Sequence, residues 1–292
     1  MKLFGKKLLS IAICFIMILG SVAVGGEGFA ELLEAVSIKA SAETYKTGDT
    51  IFFGTYPQTD VTDTLGSVLN SQSGTWKSYG YYSGSGSTTD GQMTASNYMR
   101  YKDVTYSGNK YRGVTFSQYR PYFTGSNSSA SNSHQDDNGF NTDTVYWFKY
   151  EPLEWRVLDA STGLVMCETI IDCQPYSNYI KYNSDDGEYY NDKGAYTSDW
   201  ETSSLKTWLN EDFYATAFTE SQQNKIKTET HSNKGYYTLT GTTGYEKYDS
   251  KDTSEKIYLL SYDEVLNSNY GFSTSTGSDS ARQAKGSDYA KC

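Results

Sequence analysis

The sequence predicts an α+β domain built on a mixed, mostly antiparallel sheet with a few short helices. Three observations point there. Aromatic and β-branched residues gather in short runs between turn residues, with 28 tyrosines and 12 phenylalanines against four prolines, a composition of strands and not of a disordered stalk. Leu205, Trp208 and Leu209, continued by Phe213, carry the i, i+3, i+4 spacing of a helix face. Thr219–Gln222 and Ser261–Glu264 have the S/T-x-x-E/Q form that opens a short helix.

A leader stands ahead of that domain. Lys2, Lys6 and Lys7 precede an uncharged apolar run from Leu8 to Val24, the basic and apolar parts of a secretory signal peptide. A run of this length also reaches the lower limit of a membrane-spanning helix, but no stop-transfer charge cluster follows, which favours cleavage. Ala40-Ser41-Ala42 and Gly28-Phe29-Ala30 both end in small residues, so the mature start falls between about residues 31 and 43. Residues 1–42 are read as signal peptide and leader, and 43–292 as one secreted domain. After cleavage no stable membrane span is expected, and the product is secreted or held at the cell surface.

Residues 1–42 hold four of the 25 basic and three of the 35 acidic residues, so the remainder carries 21 and 32, a net charge of −11. Such a surface repels phosphate backbones and argues against nucleic-acid partners. About 250 residues suffice for a substantial core. Beyond the leader the cysteines are Cys167, Cys173 and Cys292, an odd number that implies no disulfide framework. Cys167 and Cys173 stand close enough to pair across a turn, although the apolar run Gly163–Cys167 favours a buried thiol.

Asp49–Pro57 reads as an edge or first strand ending at its proline. Residues 60–143 are rich in Ser, Gly, Thr, Asn and Tyr and are read as an insertion or decorated loop system. Within it, Asn97–Val104 and Lys110–Phe116 are expected to form a hairpin about Tyr106–Asn109. Thr124–Thr144 is expected to be a long exposed loop. Val145–Lys149 and Leu153–Asp159 are predicted strands hinged at Glu151-Pro152, followed after a turn by a strand over Gly163–Ile171. Trp147, Trp155 and Val157 should face the core. Thr202 is expected to cap the first helix, and Trp155, Trp208 and Leu260 to be buried in one cluster. Lys256–Leu260 reads as a buried strand. Asp279 is expected to cap a helix running through Lys285, with Ser287 starting another turn.

Six stretches in order, Phe53–Gln58, Tyr146–Pro152, Trp155–Asp159, Thr207–Asn210, Leu259–Val265 and Asp288–Cys292, resemble the uncharacterised bacterial secreted family catalogued as domain of unknown function 6273. The resemblance covers most of the mature chain and is weak between 65 and 110. It implies a branch of the C-type-lectin-like fold, the scaffold shared with formylglycine-generating-type enzymes and bacterial adhesins, on exported or surface proteins of anaerobic Gram-positive bacteria. No catalytic residues come with it. Members of that family usually continue past Tyr-Ala-Lys into a further strand, whereas this chain stops at Cys292. The resemblance therefore implies a C-terminally truncated domain with an unpaired sheet edge near Lys256–Leu260.

Catalytic and metal signatures are weak. His134 and His231 lie in polar, loop-like contexts without zinc-ligand spacing, and no nucleophile elbow, phosphate loop or dinucleotide fingerprint occurs. Ca²⁺ is the ion the acidic loops would suit. Asp185, Asp186 and Glu188 near Asn191-Asp192, and Gln135–Gly139, supply oxygen donors but fail EF-hand spacing; otherwise no cofactor is expected. Two functional classes remain open. The leading one is an exported binding or adhesion module for a glycan or an extracellular protein, with loops Thr124–Asp143 and Tyr176–Asp199 as its recognition surface and Tyr189, Tyr190 and Trp200 as candidate ligand-binding residues. The alternative, from fold analogy, is an oxidase related to the formylglycine-generating type, which would need accessible reactive cysteines.

Overall fold

The computed structural model describes residues 45–79, 99–117, 119 and 135–292, with the backbone of 16–18 and 90–92. The remaining residues, including His134 and most of the expected loop Thr124–Thr144, lie outside the described residues. The strands are β1 (Ile16–Ile18), β2 (Thr50–Asp60), β3 (Lys77–Ser78), β4 (Asp90–Gln92), β5 (Met99–Tyr106), β6 (Asn109–Phe116), β7 (Tyr146–Asp159) and β8 (Leu164–Cys167). They continue with β9 (Thr169–Ile170), β10 (Tyr179–Asn183), β11 (Glu188–Tyr190), β12 (Glu229–His231), β13 (Thr253–Glu255), β14 (Ile257–Tyr258) and β15 (Lys285–Gly286). The α-helices are α1 (Thr62–Asn70), α2 (Ser204–Trp208), α3 (Tyr214–Ala217), α4 (Glu220–Gln223), α5 (Tyr236–Leu239), α6 (Tyr262–Val265) and α7 (Asp288–Lys291). The architecture is a mix of mostly antiparallel sheets and short helices. No helix among the described residues is long and apolar enough to cross a membrane.

The main sheet runs β14-β1-β8-β7-β6-β5-β3, with β2 paired to β7. β7 organises it. Its first residues pair with β6 and its last with β8, while β2 runs antiparallel along most of its length. The two strands expected on either side of Glu151-Pro152 are therefore one. Pro152 lies where β6 has ended and β8 has not begun, a place where a missing N–H costs least. β2 is an edge strand, as expected, yet it continues past Pro57 to Asp60, with its register shifting there.

The hairpin forms as β5 and β6 about Ser107-Gly108. It is not decoration: β6 pairs with β7, and Met99, Val114 and Phe116 enter the main core. Alternate small, polar and aromatic residues hid this, because a two-faced strand half covered by other elements carries no apolar run. Gly113 is required on β6, since a Cβ there would stand 2.8 Å from the Trp147 ring. Trp147 itself packs on Leu69 of α1, Val104 and Tyr111 in a second cluster, and its indole N–H donates to Asn70.

Trp155 and Val157 are core residues as expected. The first long helical segment is capped by Ser203, whose hydroxyl accepts from Lys206 N at 3.1 Å, and not by Thr202, which bonds Asp199. α2 passes through a π-helical turn, Leu209–Phe213, into α3. Leu205, Leu209 and Phe213 are fully buried at spacings of four, so Trp208 falls on the flank. Trp208 and Leu260 are half-buried and pack against the core from outside, instead of joining Trp155 within it. Both capping boxes are present, at Thr219 and at Ser261. Asp279 caps a single 3₁₀ turn, Ser280–Arg282. The expected helix through Lys285 is replaced by β15, which pairs in parallel with β9, and Ser287 caps α7. Along the edge expected to be unpaired near Lys256–Leu260, Ile257 and Tyr258 pair with Met17 and Ile16 of the leader strand β1. Cys167 is buried and its thiol donates to the Thr169 carbonyl.

Candidate functional site

The aromatic residues separate into two populations. Phenylalanines and tryptophans are mostly buried, whereas the strongly exposed large aromatics are Phe52, Tyr182, Tyr236, Tyr237 and Tyr245, between 38 and 48 % accessible. Four of these five are tyrosines outside the main sheet. Exposed aromatic rings in groups, not singly, are what call for a functional explanation.

The rings form a continuous ladder. Tyr190 stacks on Tyr196 at 5.1 Å, Tyr196 meets Tyr248 at 4.8 Å, and Tyr248 meets Tyr245 at 6.1 Å. Tyr245 stacks on Tyr237 at 4.1 Å, Tyr237 meets Tyr236 at 5.1 Å, and Tyr236 meets Tyr262 at 4.8 Å. Beside its start, Tyr182 and Tyr189 sit opposite each other across β10 and β11 with rings 5.0 Å apart. Two chain segments, 182–196 and 236–262, thus supply one surface.

Specific contacts hold each rung. β10 and β11 are joined by a tight turn in which Asp186 accepts from Asn183, from Glu188 N and from the Tyr190 hydroxyl at 2.6 Å. Glu188 ties the segments together, accepting from Lys247 at 2.9 Å and from the Tyr248 hydroxyl at 2.5 Å. Those bonds, Tyr248 first, hold its carboxyl below the usual range. The Lys247 ammonium lies over the Tyr248 ring at 4.7 Å and the Tyr196 ring at 5.7 Å. At the far end Asp249 accepts from Gly235 N at 2.8 Å and the Thr238 hydroxyl at 3.0 Å, fixing the turn that presents Tyr236 and Tyr237. Gly235, with no side-chain cap of its own, makes that turn depend on Asp249.

Below the ladder, buried Asn191 closes its loop through Lys193 N and Ala195 N, both at 3.0 Å. Trp200 is 7 % exposed, with its indole N–H on Glu255. It packs in the core against Tyr176 and offers no face to a ligand. Of the sequence-predicted residues, Tyr189 and Tyr190 therefore reach the surface and Trp200 does not. Asp186 and Glu188 point at different protein donors. Among the described residues no group of three or more His, Cys, Asp or Glu is placed to hold a metal ion.

His231 is not a solvated loop residue. It lies on β12, stacked 3.5 Å above the Tyr258 ring, with Nε2 buried and without a hydrogen-bond partner. Burial lowers its pKa against the opposing pull of Glu264, Glu255 and Glu229.

Sequence reading missed Tyr196, Tyr236, Tyr237, Tyr245, Tyr248 and Tyr262. The signal was present in Gly235–Tyr248, which places four tyrosines among Gly and Thr with a single aliphatic residue, Leu239; aromatics in such a segment have no core to enter. Residues 161–291, which contain the entire ladder, match the family model described as Domain of unknown function (DUF6273). No curated protein and no solved structure matches the chain.

Proposed function

We propose that this protein is an exported, non-catalytic binding module that takes an extended glycan along its tyrosine ladder. The ladder carries the reading: seven contacting rings, four of them from Gly235–Tyr248 and three of them, Tyr236, Tyr237 and Tyr245, strongly exposed, bring apolar ring surface and hydroxyls together. That combination suits sugar rings, which are apolar on one face and polar around the rim. An α+β domain of C-type-lectin-like type and a basic, apolar leader belong to the same reading, the first supported by antiparallel sheets with short helices and the second by Lys2–Val24. Asp186 and Glu188 are already engaged by protein donors, so binding is expected to need no Ca²⁺.

A glycan array with cell-wall polysaccharides tests it. Tyr237→Ala and Tyr245→Ala are each expected to weaken the hits by about three- to tenfold, the worth of one stacked ring, and a calcium chelator should leave them unchanged. Silence of the folded wild-type protein on the array overturns the glycan reading, and chelator-sensitive binding overturns the ion-free one.

A further inference from the structure

β8 and β14 stand on either side of β1 in the main sheet and do not pair with each other. Each pairs with β1, and β1 runs antiparallel to both: Ile16 faces Met166 and Tyr258, Met17 faces Val165 and Ile257, and Ile18 faces Leu164. The two flanking strands are therefore parallel to each other and stand one strand apart, roughly 10 Å.

Their outer sides are already taken. β8 is bonded to β7 on its far side. The far side of β14 is closed by a side chain: Asn210 donates to Ile257 O at 2.8 Å and accepts from Ile257 N at 3.2 Å and Lys256 N at 3.0 Å. What remains on each strand is one row of backbone groups, and the two rows face each other. With β1 in place Leu164, Val165, Met166, Cys167, Ile257 and Tyr258 are all buried, and a backbone group left unpaired among them is costly.

We propose that the slot between β8 and β14 is a strand-acceptor site for an extended apolar peptide, filled in the full chain by its own residues 16–18. Recognition is by backbone ladder on two sides at once, and the apolar walls select against charged segments. The occupant comes from the leader, the part of the sequence with the form of an export signal. Fold completion and retention of that segment are thereby coupled.

Hydrogen exchange on the full chain reads this directly. In wild type the amides of β8 and β14 that face β1 should be protected. Met17→Pro removes a ladder donor from a strand bonded on both sides, and should raise their exchange at least about tenfold while leaving β5 and β6 unchanged. A synthetic peptide of residues 15–19 flanked by lysines should restore the protection. Equal protection in wild type and Met17→Pro overturns the proposal, as does failure of the peptide to restore it. If Met17→Pro does not fold, wild type still decides: cross-strand nuclear Overhauser contacts from Met17 to Val165 and from Ile16 to Tyr258 are required, and their absence overturns the proposal.

Discussion

Arg112 lies on β6, 4 % exposed, with its guanidinium closed on Asp103 through two bonds of 2.7 and 2.9 Å and set 4.3 Å over the Tyr101 ring. Burial works against the Asp103 carboxylate, but the bonds and charge of Arg112 outweigh it and hold the pKa below its usual value. Lys110 also reaches Asp103, at 3.7 Å, from a far more exposed position. Desolvation decides which pair matters. Asp103→Ala should lower stability by about 2 to 4 kcal/mol by leaving a buried guanidinium uncompensated, whereas Lys110→Ala should change it by less than about 1 kcal/mol; chemical denaturation of both variants checks the ratio. His231 gives a pH-dependent counterpart. Its folded pKa is lowered by burial, and in the unfolded chain it returns to about 6.5. The unfolded state therefore binds more protons between those values, so the fold carries no penalty above about pH 6.5 and a growing one as pH falls below it. Melting curves from pH 7 to 5 should fall less steeply for His231→Gln than for wild type. Neither residue was legible beforehand. A lone Arg in Lys-Tyr-Arg-Gly-Val carries no signal of burial, and a lone His in Glu-Thr-His-Ser reads as polar and loop-like because Tyr258, which covers it, comes from a distant strand.

Asn210 shows the same limit one level up. Within Thr207–Asn210 it reads as a polar helix residue, and the helix itself was legible from the spacing of Leu205, Leu209 and Phe213. Its amide, however, closes the backbone edge of β14, some forty-seven residues further on. Asn210→Ala frees three backbone groups at once, and should cost about 1 to 3 kcal/mol with faster exchange at Lys256 and Ile257; an unchanged melting temperature would show that water replaces the amide. Local signals were reliable where the chain alone sets the geometry. The capping boxes at Thr219 and Ser261 formed because their partners lie three residues away. Signals failed where neighbours decide: Pro57 and Pro152 both sit inside strands, since β2 is an edge and β7 has a gap between β6 and β8 on one side. Lys285, expected at the end of a helix, lies with Gly286 in a strand that pairs in parallel with β9.

Across the whole molecule, composition announced an aromatic domain but not where its rings would go. The sheet and helices took most phenylalanines and tryptophans together with several tyrosines, among them Tyr56, Tyr111, Tyr146, Tyr150, Tyr258 and Tyr289; a hydroxyl is costly to bury unpaired, and that of Tyr56 donates to Asp172 at 2.6 Å. Another group of tyrosines assembles outside that core, where Glu188 and Lys247 lock two segments some sixty residues apart. That arrangement predicts how affinity should depend on ligand length. If each ring contributes a separate contact of about 0.5 to 1.5 kcal/mol, a monosaccharide should bind weakly, and affinity should climb with each added sugar until the ladder is filled. Lys247→Ala, which removes one of the two bonds to Glu188 and the cation over Tyr196 and Tyr248 without removing a ring, should shorten the length over which affinity climbs and leave the short-ligand affinity at Tyr237 and Tyr245 intact. Titration calorimetry with an oligosaccharide series checks both. Affinity independent of length would place binding at a single ring pair, and an equal loss for short and long ligands in Lys247→Ala would mean that the two segments do not act as one surface.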